Sequence, residues 1–133
     1  MSDVILENDH ARLVYYPDRC IIHHTFLKQA EGDDFRTVLE MGLDFLAQHN
    51  LTKWLSDDAR LTGLSRDDKH WAEDDWLPRA SEAGWRYWAL VVPSSVMARA
   101  SYLPLVGPAR NAGIEIMLLT SIDEGLEWLD SHD

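Results

Sequence analysis

Three short β-prone runs, Leu51 to Ser56, Tyr87 to Val92 and Ile114 to Leu119, are separated by stretches whose apolar residues recur with helical spacing. Strands and helices that alternate in this way are joined by right-handed crossovers, so the strands lie parallel in one sheet with helices over its faces. The last two runs are almost uninterruptedly apolar, the pattern of strands covered on both sides. Leu90, Val91 and Val92, with Ile116, Leu118 and Leu119, are therefore expected at the centre of the sheet.

Upstream of these runs the pattern changes. Val4 to Glu7, Leu13 to Tyr16 and Arg19 to Phe26 read as extended segments, the last two joined by a Pro17-Asp18 turn signal. They predict an N-terminal β-hairpin that makes the sheet mixed. Successive side chains of a strand point to opposite faces, so His23 and His24 diverge, and Cys20 is expected to be a small buried side chain. From Asp33 the period becomes helical, with Phe35, Val38, Leu39, Gly42 and Leu46 on one face and Asn50 available as terminator. Ser65, with Asp68 three residues on, opens a second helix that Gly84 ends. Pro78 lacks the N–H that would bond to Asp74 and should kink that helix. Ser121 with Glu124 opens a final helix, while Ser95 to Ala112 reads as mainly helical but interrupted by Pro104, Gly107 and Pro108. The expected fold is α/β, a mixed and mostly parallel sheet with about four helices.

A length of 133 residues leaves room for one domain, 1–133, without repeats or linkers. Twelve Lys and Arg against 23 Asp and Glu give a net charge of −11, which disfavours nucleic acid and anionic membrane surfaces as partners. No apolar run approaches the roughly 18 residues of a membrane span, so no membrane insertion is expected. The N-terminal residues lack a basic region followed by a long apolar stretch, and Cys20 is the single cysteine; both features point to a cytoplasmic protein. No Gly-rich phosphate loop and no metal-ligand spacing of histidines occurs, so no cofactor or metal is expected, and the six histidines read as scattered surface residues.

The segments Trp54-Leu55-Ser56-Asp57-Asp58, Asp75-Trp76-Leu77-Pro78-Arg79-Ala80, Ala89-Leu90-Val91-Val92-Pro93, Ala112-Gly113-Ile114-Glu115 and Gly125-Leu126-Glu127-Trp128-Leu129 together resemble the small bacterial proteins of the SpoIIAA-like, STAS-type group. The resemblance covers roughly residues 50 to 131 by motif and the remainder by element order. It implies a SpoIIAA-like fold, related in shape to CRAL-TRIO lipid-carrier domains, in a group whose members mostly lack an assigned activity. Better understood STAS domains carry a phosphorylated serine in an Asp-Ser-Ser-Gly-like turn. That turn is absent here, and the nearest positions are Ser56 and Ser65. Ser65 has two acidic neighbours in its first helical turn, Asp67 and Asp68, so it is expected to cap the helix rather than to act as a phosphoswitch.

Three functions follow from the remaining features. The first is a non-enzymatic interaction or regulatory domain, self-associating as a homodimer or binding a protein partner through a surface that retains Trp71 or Trp76. These residues lie five apart, about 500° of α-helical turn, so they cannot share one narrow stripe. The second is a carrier or sensor of a small apolar or lipid-like ligand, with the broken stretch around Met97, Tyr102 and Leu103 as a movable cover. The third is an enzyme using Asp57 and Asp58, which follow a strand but have no partner base in the local sequence and otherwise read as a solvated turn.

Overall fold

Six strands form one sheet in sequence order: β1 (Asp3–Glu7), β2 (Ala11–Tyr16), β3 (Ile21–Phe26), β4 (Lys53–Asp57), β5 (Tyr87–Val91) and β6 (Glu115–Leu119). The structure is a computed structural model and describes residues 2–132. β1, β2 and β3 pair antiparallel, and β3 to β6 pair parallel, so the expected mixed α/β sheet is what the chain forms. Each parallel connection steps the same way across the sheet, and right-handed crossovers that all advance in one direction must lie on one face. That face carries α1 (Asp33–His49), the helical body of Arg66–Glu82 and the pair α4 (Val96–Ala100) and α5 (Leu103–Asn111). Only α6 (Ile122–Asp130), which follows the last strand, packs on the other face, against Leu55, Ala89 and Val91.

The main core is built by side chains of alternate strand positions, Leu13, Ile22, Trp54 and Leu90, packed on the periodic residues of α1. All five of those residues, Phe35 to Leu46, are buried, and the helix ends at Asn50 in the left-handed region (φ 54°) with its N–H bonded back to Ala47 and Leu46. Two glycines set how closely helices approach. A Cβ at Gly42 would run into the Trp54 indole, and one at Gly125 would lie 2.7 Å from Leu55 Cδ1.

Ser65 caps the second helical body, its Oγ accepting from Asp68 N–H at 3.1 Å. Asp68 does not return the bond as a capping box would. Its buried carboxylate accepts from Gly32 N–H at 3.0 Å and from Arg36 Nε at 3.0 Å, tying the start of α1 to the start of α2 (Arg66–Trp71). Ser65→Ala should lower stability by about 0.5–2 kcal/mol, the usual cost of a lost cap, read as a shifted urea midpoint with unchanged slope. The break expected at Pro78 takes the form of a π segment, Ala72–Trp76, before α3 (Leu77–Glu82), with Leu77 N–H bonding to Ala72 O five residues back. Closure by such bonds brings residues five apart onto the same side. Trp71 and Trp76 therefore stack, ring centroids 6.3 Å apart with planes at 24°, against the divergence that α-helical geometry predicts.

Two expectations fail for clear reasons. β6 is an edge strand, with Glu115 and Met117 exposed and Leu118 and Leu119 only half-buried, because among the described residues no strand pairs beyond it. Its apolar run reflects one buried face and contact with α6, whereas β5 is the interior strand. Cys20 is exposed in the β2–β3 turn at φ 58°, because the strand starts one residue later, at Ile21.

Candidate functional site

The period of β3 sends Ile22, His24 and Phe26 to the face covered by the crossover helices and His23 to the other. His24 is thus a polar side chain in an apolar stripe, 2% exposed, and needs partners. The adjacent strand supplies one. Trp54 Nε1–H donates to His24 Nδ1 at 2.9 Å. An indole N–H can only donate, so Nδ1 accepts and the imidazole proton sits on Nε2. That Nε2–H donates to Asp58 Oδ1 at 2.7 Å, within the range of charge-assisted bonds. Among the described residues no Lys or Arg forms an ion pair with Asp58.

Asp58 is therefore not in a solvated turn. It is 5% exposed, since the chain after β4 folds back over it: Leu61 N–H bonds to Asp58 O, and Leu61 is itself buried. Beside Asp58 lies Tyr102, carried between α4 and α5 and 1% exposed. Burial, then the neighbouring Asp58 charge and a side-chain hydrogen bond to Asp58, push the Tyr102 pKa far up, so its phenol stays protonated. Ser56 Oγ, also buried, accepts from Trp88 Nε1–H at 2.9 Å.

His24, Ser56, Asp58 and Tyr102 form the polar wall of an enclosed cavity of about 20 Å³. Phe35, Trp76, Trp88 and Leu105 are among its apolar walls. The volume is enough for roughly one water-sized group. Apart from Tyr102, the polar wall of the cavity comes from the carboxyl-terminal halves of β3 and β4 and the residue just beyond β4, the side where open α/β sheets place their ligands. A larger depression of about 450 Å³ lies along β6 between Arg110, Ile116, Met117 and Trp128, but it has no comparable convergence of buried polar groups.

The residues singled out from the sequence separate in space. Asp57, half-buried, is on the opposite face from Ser56, accepts from Ala59 N–H at 3.2 Å, and has its pKa raised mainly by burial. Asp57 and Asp58 thus do not converge as a pair, and the partner base absent from the local sequence is His24, 34 residues away. Trp76 lines the cavity, whereas Trp71 is half-buried with the Arg36 guanidinium 5.2 Å over its ring. Met97 and Leu103 are 82% and 56% exposed, and only Tyr102 between them reaches the pocket. Ser65 is engaged as the helix cap. The reading of all histidines as surface residues is wrong for His23 and His24, and the apolar neighbours Ile22 and Phe26 are the signal that marks His24.

His23, on the other face, meets Tyr16 Oη through Nδ1 at 2.8 Å and Thr25 Oγ1 through Nε2 at 3.2 Å. Burial, with the nearby basic groups His24 and Arg12, pushes its pKa down from 6.5 to about 4. Below pH 6.5 the unfolded chain takes up a proton that the native state refuses until about pH 4. Stability should therefore fall as pH drops through that window, by on the order of 3 kcal/mol in total. Urea titrations at stepped pH check this: His23→Gln should flatten the slope, and an unchanged slope would assign it elsewhere.

No family model, curated protein or solved structure matches this chain. Among the described residues no helix is long and apolar enough to cross a membrane, and no cluster of three or more His, Cys, Asp or Glu is placed to hold a metal.

Proposed function

We propose that the chain is a cytoplasmic, non-enzymatic domain of the SpoIIAA-like, STAS-type group that acts as a carrier or sensor of a small, largely apolar molecule. The observation that carries this reading is the convergence of four buried polar side chains, His24, Ser56, Asp58 and Tyr102, on one small cavity whose other walls are apolar. An apolar pocket with a few convergent polar groups is the usual make-up of a small-ligand site. The group assignment draws support from the element order and from the placement of three crossovers on one face and α6 on the other. Native mass spectrometry of the freshly purified protein tests the function. The expected outcome is a stoichiometric adduct lost on denaturation; a clean apo mass, with no thermal shift from a panel of small apolar compounds, would defeat it.

A second reading, a protein-interaction surface, is favoured by one observation: Val96, Met97 and Leu103 are 78%, 82% and 56% exposed along α4–α5. Trp76 takes no part in it, being buried. Sedimentation velocity at rising concentration distinguishes it, because homodimer formation abolished by Met97→Glu would assign the surface to self-association.

A further inference from the structure

β6 leaves one side of its backbone open. Glu115 N–H donates to Arg86 O at 2.8 Å and Leu119 O accepts from Val92 N–H at 3.1 Å, so both residues turn their polar backbone groups to β5. By the alternation of a strand Met117 does the same, and the N–H and C=O groups of Ile116 and Leu118 point away from the sheet. Native edges are usually guarded against an added strand by charges, proline or a bulge. β1, the other edge, has a register shift between Val4 and Leu6 and acidic residues at both ends, Asp3 and Glu7. From Ile116 to Leu119 β6 has none of these devices. Beside it, at the α6 face, lie two depressions divided by Met117 and Trp128, which line both. One, of about 450 Å³, reaches Arg110 and Glu115, and the other, of about 380 Å³, is bordered by Leu119 and by Glu124 and Glu127 of α6.

We infer that this edge takes up an extended segment of a partner protein as an added strand, and that the segment carries an apolar side chain and, two residues away, a lysine or arginine. Its backbone completes the open groups of Ile116 and Leu118, the main-chain pairing that gives such complexes their affinity. Residues two apart on a strand share a face and lie about 7 Å from each other, which lets one side chain enter each depression. The apolar residue packs on Met117 and Trp128, and the base lies against Glu124 and Glu127. Charge selects this occupant. Three carboxylates, Glu115, Glu124 and Glu127, border the depressions against the single guanidinium of Arg110, and the net charge of −11 draws a basic partner towards the chain. A second copy fits less well, because antiparallel pairing of β6 about a two-fold axis would lay both α6 helices on one face, each turning Glu124 and Glu127 to the other. The site is separate from the His24–Asp58 cavity and from the exposed residues of α4–α5, and stands without either.

The test titrates the wild-type protein into a fluorescently labelled peptide, Ser-Thr-Leu-Thr-Lys-Thr-Ser, and reads anisotropy at low ionic strength. Two control peptides carry Glu in place of Lys, or a methyl group on every backbone amide. The Lys peptide should bind about tenfold more tightly than the Glu peptide, since an attraction to exposed carboxylates is exchanged for a repulsion. The methylated peptide, without backbone donors, should not bind. Glu124→Gln together with Glu127→Gln should erase the preference; both positions are exposed, and Gln at 124 still serves the Ser121 cap. Hydrogen exchange of the Ile116 and Leu118 amides should slow when the Lys peptide is present. Equal or tighter binding of the Glu peptide, a Lys preference that survives the double substitution, unchanged exchange at Ile116 and Leu118, or no binding of the Lys peptide would each overturn the inference. So would a concentration-dependent dimer that Met117→Lys dissolves, since the edge would then belong to a second copy.

Discussion

Replacing His24 by alanine is expected to lower the unfolding free energy by about 2–4 kcal/mol, since two buried groups lose a hydrogen-bond partner and each costs roughly 1–3 kcal/mol when left unsatisfied. The loss has two sources. Asp58 would keep a buried carboxylate without its donor, and the Trp54 indole N–H would lose its acceptor. Water can relieve part of this by entering the space left by the ring, which places the effect inside the range rather than above it. A double-mutant cycle with Asp58→Asn separates the sources, since a neutral amide tolerates the missing partner better than a carboxylate. The His24→Ala cost should shrink in the Asp58→Asn background. A single-mutant cost below about 1 kcal/mol would mean that Asp58 finds another partner or is solvated.

Trp76→Ala should be comparably severe, about 3–5 kcal/mol, because truncating a buried tryptophan leaves a cavity that its neighbours fill only in part. Trp76 is 2% exposed, donates from Nε1 to Leu39 O at 3.0 Å, and packs on Trp54 and Trp85 with centroids 5.3 and 5.2 Å away. It joins α1, the π segment and the sheet at one point. Trp71, half-buried at the rim of the same cluster, should cost much less on truncation to alanine. Equilibrium urea unfolding of the two variants makes the comparison, and similar small losses would show that the Trp76 site collapses without penalty.

The stretches that could be read directly from the chain are those with a regular period. Phe35 to Leu46 announces α1 because a 3.6-residue repeat of apolar side chains has no other stable use, and Ser65, Ser95 and Ser121 mark helix starts where each Oγ accepts the N–H three residues on. Run length misled at β6, where one buried face and a partial cover by α6 imitate the composition of a strand buried on both sides. Periodicity likewise could not foresee the stacking of Trp71 on Trp76, since the α-helical repeat itself changes at Ala72. The pocket was harder still. Its polar wall comes from positions 24, 56, 58 and 102, which belong to three different parts of the fold and share no local pattern. Asp58 in an Asp-Asp pair after a strand looks solvated until the following residues to Leu61 are seen to close over it.

The account of the pocket's polar wall depends on His24 accepting from Trp54 at Nδ1 and donating to Asp58 from Nε2, and the position of the ring proton can be read directly. Side-chain ¹⁵N chemical shifts and one-bond N–H couplings of His24 in uniformly labelled protein should show a proton on Nε2. Asp58→Asn should leave the Trp54 bond in place, because the Trp54 indole N–H can only donate. A neutral ring with its proton on Nδ1 would break the Trp54 bond and contradict this arrangement.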